Sequence, residues 1–537
     1  MRTLSPLLVY ALSASALSPA TVELVKARLK DAAKKRVRVS WEIGTRAQAL
    51  LELEAPSVSV FTASSIPGSP AVASSPSLNS TTLNAAKLAF TNGQLDDVVG
   101  LSHEILANKQ QGTLPLMKDG SSADPASNGV GMIIANWTEA QGSDFAAAAS
   151  DQLTWLLEHV PRSSKGAISH RNSEVQLWSD FIYMVPPFLA YYGASTSNAS
   201  LVSEAHNQIK LYRDVLRDKP TGIWQHIRQG SFEDRGLWST GNGWAAMGIM
   251  RVAATIRAAG YSSQFKEEMN DFETWTAEIL DGMWPLITEE GLFYNYANDP
   301  KTFLDAAGTA LMVASTYRAA TMFNNTKHLD IAEKVYKVIG GTDSNSTSSS
   351  STSSIPEPTG ETKRHRSIRQ VHHRVQLSQL KHTNENHGPI ARANARHPSE
   401  TRVSPRASAH LTPDGWLNPV VDPHSFKKLG EHSAEGQAFV IMMYASRNDY
   451  LVHSKLKIGA RPGGFGANVV GFSMTGGNNG LNSTGGAGGL TGVGNAGAGL
   501  VSGGSANEER KNSDYKSAGF EVGTIIGAVG AVLAWIM

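Results

Sequence analysis

The sequence predicts an all-α fold, a toroid in which helical hairpins form an inner and an outer ring. Long helical patterns with short Gly, Asn and Pro breaks run from residue 21 to about residue 340. Alternate segments are rich in small residues and carry few charges, whereas their neighbours are amphipathic and charged. Alternating strand patterns are scarce, and the best short candidate is PSVSVF at residues 56–61.

The composition excludes several classes of protein. The chain has 537 residues and 41% hydrophobic content, enough for a large core in one or two domains. Its net charge of +1 does not suggest a nucleic-acid-binding protein. Since the sequence contains no cysteine, disulfides, thiolate nucleophiles and cysteine-ligated metals are excluded.

Residues 1–16 have the pattern of a secretory signal peptide. Arg2 supplies the positive charge, an apolar run follows from Leu4 to Leu12, and Ala14–Ala16 fits a small-residue cleavage site. The alternative is a first helix of the fold. The short run and the separate charged amphipathic pattern that starts at Val22 favour the signal peptide.

The C-terminal residues 506–537 have the pattern of a GPI-attachment signal. Small residues come first, then a polar spacer, then an apolar tail after Glu521. Gly504 or Ser505 is the expected attachment point, with Asn512–Ser513 as a second choice. The alternative is a membrane-spanning tail, for which the run is short. The two termini and six glycosylation sequons predict a protein of the secretory pathway that is anchored at the cell surface.

Two segments interrupt the helical pattern and define the domains. Residues 341–409 are Ser/Thr-rich and then Arg/His-rich, without periodicity, and are expected to be a disordered insert or translated non-coding sequence. Residues 459–505 are Gly-rich and predict a flexible stalk. The remaining segments, 22–340 and 410–455, form the predicted helical domain.

The segment LWSDFIYMVPPFLAYY, residues 177–192, contains a single charge, Asp180. No other charged residue lies between Glu174 and Glu204. A carboxylate in apolar surroundings must find a partner, hold a proton or line a cavity, because its burial is costly. Asp180 is therefore a candidate catalytic acid, or else a structural residue that caps a helix or pairs with a buried arginine.

A series of motifs carries a family resemblance. In chain order these are AISHR, LWSDFIYMVPPFLAYYG, GIWQH, GLWSTGNGWAAMGIMRV, GLFYNYANDP, DAAGTALM and SAEGQAF. Together they resemble the six-hairpin glycosidases, the unsaturated rhamnogalacturonyl and glucuronyl hydrolases, here in a GPI-anchored form of fungal type. The resemblance covers residues 22–340 and 410–455 and implies an (α/α)6 barrel with its site at the wide mouth of the inner ring.

The same resemblance implies the site residues. Asp180 would be the catalytic acid/base, assisted by Asp124, although Asp124 also suits a turn or a helix cap. The adjacent Asp96–Asp97 is a competing pair of the kind used by fungal wall mannanases, but it lies outside the apolar pattern. The expected substrate-binding residues are Trp178, Trp244, His170, His226, Arg171, Asn242 and Thr240. No metal-ligand cluster and no cofactor motif appears in the sequence.

One position departs from the family pattern. Where the family often has an arginine that holds the uronate carboxylate, this chain has Thr240 in LWSTGNGW. A threonine hydroxyl cannot replace the two-point contact of a guanidinium group. Either another cation serves, with Arg171 and Arg235 as candidates, or the substrate lacks that carboxylate.

The resemblance implies a surface-anchored glycosidase that acts on cell-wall or pectin-derived oligosaccharides. Asp180 would protonate C4 of an unsaturated uronyl residue and water would add at C5. The alternatives are a hydrolase or transglycosidase of intact wall glycan that uses a carboxylate pair, and a non-catalytic carbohydrate-binding protein with the same barrel.

Overall fold

The computed structural model describes residues 17–35, 39–138, 143–341 and 410–459. The predicted signal peptide, all but the first residue of the insert, the stalk beyond residue 459 and the GPI-type signal lie outside these residues. The chain divides into two compact units, Met1–Leu451 and Val452–Met537. Of the second unit, only the end of the last helix is described.

The described residues are mainly helical, as predicted. The helices are α1 Pro19–Lys35, α2 Ser40–Glu54, α3 Pro70–Ala73, α4 Pro76–Thr91, α5 Asp96–Asn108, α6 Gly129–Trp137, α7 Ser143–Thr154, α8 Phe181–Met184, α9 Pro186–Ser195, α10 Ala199–Leu216, α11 Ser239–Ala258, α12 Lys266–Met283, α13 Ala306–Phe323, α14 Leu329–Gly340 and α15 Ala434–Gly459.

The helices form six outer–inner pairs within the described ranges, so the predicted six-hairpin fold is confirmed. The pairs are α1 with α2, α5 with α6, α7 with α9, α10 with α11, α12 with α13, and α14 with α15. Inner helices are buried almost all round: α11 is buried at every position except Arg257. Outer helices such as α12 bury one face only. This difference explains why small apolar residues dominate alternate segments.

The inner ring is closed by contacts between its first and last members. On α2, Trp41 Nε1 donates a hydrogen bond of 3.1 Å to Glu435 on α15. Deeper in the ring, Arg318 of α13 pairs with Glu52 of α2 at 2.7 Å and also with Asp449 of α15. Since a buried charge without a partner is costly, these pairs specify how the inner helices meet. Within the described part of the chain, no helix is both long enough and apolar enough to span a membrane.

Short antiparallel strand pairs complete the described structure. The pairs are β1 Leu177–Trp178 with β2 Ile227–Arg228, β3 Phe293–Tyr294 with β4 Leu304–Asp305, and β5 Val420–Asp422 with β6 Ser425–Gly430. The strand expected at residues 56–61 is wrong. This segment forms turns, closed by bonds such as Val58 N–H to Ala55 C=O at 3.0 Å. Its alternating valines are buried in the core without pairing to a neighbouring strand.

Candidate active site

The candidate site is assembled where the inner helices begin. Asp124 opens a 3₁₀ turn that leads into α6, and Asp180 directly precedes α8. Thr240 lies in the first turn of α11, Asp305 caps α13, and Glu435 lies in the first turn of α15. Because these inner helices run in the same direction, residues far apart in sequence meet at one end of the ring.

Asp180 has the surroundings of a proton donor. Its side chain makes no capping hydrogen bond to α8, and its buried Oδ1 has no hydrogen-bond partner. It forms no ion pair within the described residues, which removes the two structural roles considered for it. Burial raises the pKa of the Asp180 carboxyl, while the nearby charges of His226 and Arg171 partly offset this. Asp180 therefore holds a proton more readily than an exposed aspartate does.

Asp124 lies in the same site. Burial, with help from the negative charges of Asp119 and Asp180, raises the pKa of the Asp124 carboxyl well above its usual range. Its Oδ1 is 3.6 Å from Nε2 of His170. Because Asp180 and Asp124 act on each other electrostatically, the two carboxyls share one site.

Trp178 and His170 form an aromatic wall beside the two carboxyls. Their rings stack at a centroid distance of 4.8 Å with planes 11° apart. Burial lowers the pKa of His170 well below its usual value, and Arg171 and His226 add to the effect, so this imidazole is neutral. The guanidinium of Arg171 lies 5.8 Å from the Trp178 ring and has no hydrogen bond or ion pair among the described residues. It is a cation available to a ligand.

His226 is held by a network that the sequence analysis missed. Its Nδ1 lies 3.1 Å from Oδ2 of Asp234, which also accepts a hydrogen bond from the hydroxyl of Tyr296. Although burial alone would raise the pKa of Asp234, the bonds from His226 and Tyr296 hold it well below its usual range. The ionised Asp234 therefore accepts a hydrogen bond from Nδ1–H of His226. The other ring nitrogen, Nε2, is buried without a partner and is left for substrate.

The four-residue segment GNGW, residues 241–244, supports the structure around this site. Asn242 accepts from Trp224 N–H at 2.8 Å and donates to the carbonyls of Trp224 and Trp238 at 3.0 and 2.9 Å. Trp244 is 1% exposed and packs between Tyr183 and Phe439, at 4.3 and 4.7 Å. The side chains of Asn242 and Trp244 are both enclosed by protein. The substrate contacts expected of these two residues remain predictions.

Thr240 is also enclosed. Its hydroxyl donates a 2.7 Å hydrogen bond to Asp305, and neither residue is exposed. Of the two cations considered in place of the family arginine, Arg235 is 65% exposed and pairs with Glu233 at 2.8 Å. Arg171 alone of these two faces the carboxyl groups. The competing Asp96–Asp97 pair lies at the start of α5, with Asp97 bound to Lys30 and Arg46 at 2.6 and 2.7 Å.

A third carboxyl lies across the ring. Glu435 accepts the Trp41 bond, and burial, together with the charge of Glu42, raises its pKa well above the usual range. Its titration is also affected by Asp305 and Asp180. No group of three His, Asp or Glu side chains in the described ranges is arranged to hold a metal ion. The site thus offers carboxyls with raised pKa values, a neutral histidine and aromatic rings for acid/base chemistry.

Comparison with known families decides the classification. The model of Glycosyl Hydrolase Family 88 matches residues 85–372, more than half of the 537-residue chain. The chain belongs to glycosyl hydrolase family 88. It is therefore a glycosidase, and its substrate is an oligosaccharide. No curated protein matches this family 88 glycosidase significantly.

Two solved structures share the fold of the family 88 chain at low sequence identity, and a third is less similar. A possible member of family GH105 from Klebsiella pneumoniae has a TM-score of 0.51 and 14% identity, covering 83% of this chain and 94% of that one. A second possible GH105 member, from Salmonella enterica, has a TM-score of 0.50 and 15% identity, covering 84% and 100%. Unsaturated glucuronyl hydrolase from Bacillus sp. GL1 has a TM-score of 0.36 and 15% identity, covering 49% and 73%.

Proposed function

We propose that this family 88 glycosidase hydrates the C4=C5 double bond of an unsaturated uronic acid at the end of an oligosaccharide. The observation that carries the proposal is Asp180, a carboxyl with a raised pKa and an unpartnered buried oxygen beside an aromatic wall. Such a group can deliver a proton to carbon, which ordinary solvent-exposed aspartates do poorly at neutral pH.

The proposed reaction uses Asp180 first as an acid and then as a base. Asp180 transfers its proton to C4 of the enol ether, and positive charge develops at C5 and the ring oxygen. Water then adds at C5 and returns a proton to the Asp180 carboxylate. The hemiketal opens and expels the neighbouring sugar. In this mechanism Asp124, with its raised pKa, and the unpartnered Nε2 of His226 orient the water or the ring hydroxyls.

Arg171 is the group that we assign to the uronate carboxylate. Its guanidinium lies over Trp178 without a protein partner, so it can make a two-point contact with a carboxylate. Arg235 is already paired with Glu233. In this proposal, the change from arginine to Thr240 moves the cation to another loop and does not remove it.

Two rival functions make different use of the same residues. Hydrolysis of an intact glycoside by two carboxylates needs one of them ionised as base or nucleophile, but the pKa values of Asp124 and Asp180 are both raised. A non-catalytic binding protein has no need for an unpaired buried carboxyl, which costs stability.

Ultraviolet absorbance of the double bond tests the proposal directly. The purified full-length protein is incubated with lyase-digested pectin or glycosaminoglycan, and the expected result is loss of that absorbance with wild type and none with Asp180→Asn. Cleavage of a saturated glycoside without such loss would establish the two-carboxylate mechanism. Binding of oligosaccharide without any turnover would establish the non-catalytic role.

We also propose that the enzyme acts at the cell surface. The support is the apolar N-terminal run, the small residues and spacer before the C-terminal tail, and that tail itself. A phosphatidylinositol-specific phospholipase is expected to release the protein from membranes, with a mature N-terminus near Leu17. A mature chain that still contains the C-terminal apolar tail would show a transmembrane anchor instead.

A further inference from the structure

The glycosylation sequons in the described ranges share one position in the fold. Each lies at or after the end of an inner helix and before the next outer helix begins. They are Asn79 between α2 and α5, Asn136 in the last turn of α6, Asn198 between α9 and α10, and Asn324 directly after α13. The connections from outer to inner helices, which carry the candidate active site, contain no sequon within the same ranges. The sequons at Asn345 and Asn482 lie outside the described residues.

The connections that follow the inner helices meet at the end of the ring opposite the site. The inner helices begin at the site, so their last residues lie at the other end. There the N–H of Ala71, after α2, donates to the carbonyl of Ala259, after α11, at 3.0 Å. The hydroxyl of Ser197, after α9, donates to the carbonyl of Gly68 at 2.6 Å. Since α11 has 20 residues, it spans about 30 Å, and the two ends of the ring are separated by about that distance.

Asn324 is an exposed acceptor in a tight turn. It ends α13 with a left-handed backbone, at a φ of +56°. Asparagine adopts this conformation more readily than most residues do. Thr326, whose hydroxyl completes the sequon, is exposed as well. Asn325 between them accepts from the N–H of Lys327 at 3.2 Å through its Oδ1, which fixes the turn. Both groups of the sequon are thus presented to solvent.

Asn198 presents its amide nitrogen in a different way. Its Oδ1 caps α10 by accepting from the N–H groups of Ser200 and Leu201 at 3.1 and 3.3 Å. Its Nδ2 forms no hydrogen bond among the described residues, and Ser200 of the sequon is exposed. A glycan replaces one hydrogen on Nδ2 and leaves Oδ1 in place, so glycosylation and helix capping are compatible.

Asn136 is the contrasting case. It is half-buried within α6, and Thr138 of its sequon is 7% exposed. The Thr138 hydroxyl donates to the carbonyl of Ala135 at 2.7 Å. Trp137, the middle residue of the sequon, packs against Tyr191 of α9 at a centroid distance of 5.8 Å. Because a glycan is bulky and needs a surface position, we expect Asn136 to stay unmodified.

We propose that Asn198 and Asn324 carry N-linked glycans, which cover the end of the ring opposite the active site, while the described loops at the site end stay unmodified. The inference rests on the proposed location at the cell surface, which requires passage through the secretory pathway. There, Nδ2 of asparagine attacks C1 of an oligosaccharide that is carried on a lipid diphosphate. The N–C1 bond forms, the C1–O bond to the diphosphate breaks, Nδ2 loses a proton and the lipid diphosphate leaves.

Peptide mapping of the full-length protein, purified from a secreting eukaryotic host, tests the assignment. Enzymatic release of N-glycans in water labelled with heavy oxygen leaves a labelled aspartate wherever a glycan was attached. The expected result is label at positions 198 and 324 in most molecules and none at position 136. Absence of label at 198 and 324, in a chain whose mature N-terminus lies near Leu17, would overturn the assignment and leave the secretory location standing. A chain that retains residues 1–16 and has no label at any sequon would overturn both.

Single substitutions separate the sequons from the fold. Ser200→Ala and Thr326→Ala keep both asparagines, and with them the cap of α10, but each is expected to remove one glycan. Ser200→Thr and Thr326→Ser are the matched controls, because they keep the hydroxyl and should keep the glycan. Gel mobility before and after glycan release measures the loss. A glycan that persists in an alanine variant would overturn the assignment at that asparagine.

Activity of the same variants tests where the glycans lie. Since both positions are at the far end of the ring from Asp180, the alanine variants should lose a glycan without a change in kcat or KM. A KM that changes in an alanine variant but not in its matched control would show that the glycan reaches the substrate, and would overturn its placement at the opposite end.

Discussion

At the scale of single residues, the chemistry of the site depends on which side chains lack partners. Oδ1 of Asp180 and Nε2 of His226 are buried without a hydrogen bond, whereas the neighbouring Asp234 accepts bonds from His226, Tyr296 and Gly236. This contrast shifts the pKa values of the two aspartates in opposite directions: the pKa of Asp180 is raised and that of Asp234 is lowered. Asp180 and His226 therefore have unpaired atoms that can act on substrate, whereas Asp234 positions His226.

Asp180→Asn is expected to abolish turnover and to raise thermal stability at neutral pH. Because burial raises the pKa of Asp180, the ionised form destabilises the folded state above that pKa, and asparagine removes this cost. The gain is about 1 kcal/mol, or about 2 °C in Tm, and should disappear at low pH, where the aspartate is protonated in both states. Thermal melts across pH measure it, with the exposed Glu289→Gln as the control. Near-wild-type activity would refute the assignment.

Arg171→Gln is expected to move the alkaline limit of activity to higher pH. The proton on Asp180 is needed for catalysis, so activity falls as pH rises through its pKa. Burial raises that pKa and the charge of Arg171 opposes the rise, so loss of the charge raises it further. The pH profile of kcat measures the shift.

The matched control for this shift is Arg235→Gln. Arg235 is exposed and pairs with Glu233, so its loss should leave the alkaline limit in place. If both substitutions moved the limit equally, the electrostatic role of Arg171 would be wrong.

At the scale of elements, the first turns of the inner helices are tied to one another. The carboxylate of Asp305 caps α13 by accepting from the backbone N–H groups of Ala307 and Gly308 at 3.1 and 3.0 Å. It also accepts from Thr240 on α11 and, at 3.3 Å, from the N–H of Val421 on β5. One buried carboxylate thus joins two inner helices to the hairpin that carries Phe426. These ties hold the catalytic loops at fixed separations.

Thr240→Val is expected to destabilise the protein while the folded fraction keeps its turnover number. The substitution preserves shape and removes the hydroxyl that donates to the fully buried Asp305. The expected loss is about 1–2 kcal/mol. Thr276→Val is a matched control, because the Thr276 hydroxyl is buried without a partner. Equal stability of the two variants in denaturant unfolding would show that the Thr240–Asp305 bond does not support the ring.

At the scale of the whole molecule, the residues on either side of the insert belong to one compact unit. His410 interacts with the backbone of Glu290, and the neighbouring Gly291 approaches the side chain of Val338 on α14. The described segments before and after residues 342–409 therefore approach the same turn. The last inner helix, α15, follows the insert in the chain and completes the barrel. It supplies Glu435 to the site.

Deletion of residues 345–408 is expected to leave folding and activity intact. The deleted stretch lacks periodic apolar residues, so it does not offset the entropy cost of ordering itself. A long loop costs little to close, since each doubling of length adds only about 0.6 kcal/mol. Expression level, Tm and kcat of the deletion variant are the measurements. Loss of activity at an unchanged Tm would assign the insert a role at the site.

The sequence by itself determined the ring of helical hairpins, and it predicted Asp180 as a catalytic candidate. The period of small and apolar residues along each helix predicts which face is buried, and an isolated charge in an apolar run is visible without coordinates. Asp124 was also identified, although its sequence context suited a turn equally well. Short apolar alternation was misleading at residues 56–61, because burial alone does not require a paired strand.

Only the tertiary structure decided which polar groups meet. The partner of His226 is Asp234, whose role depends on Tyr296, 62 residues further along the chain. The hydroxyl of Thr240 is enclosed by its bond to Asp305, whereas the side chain of Arg171 faces the carboxyls. We therefore assign the uronate contact to Arg171 and not to Thr240. Phe232 and Phe426 come together from the loops that precede α11 and α15. Hydrogen bonds and charge effects act over a few ångströms of space, so their partners depend on how the folded chain brings distant residues together. Such pairings leave no periodic signal in the sequence.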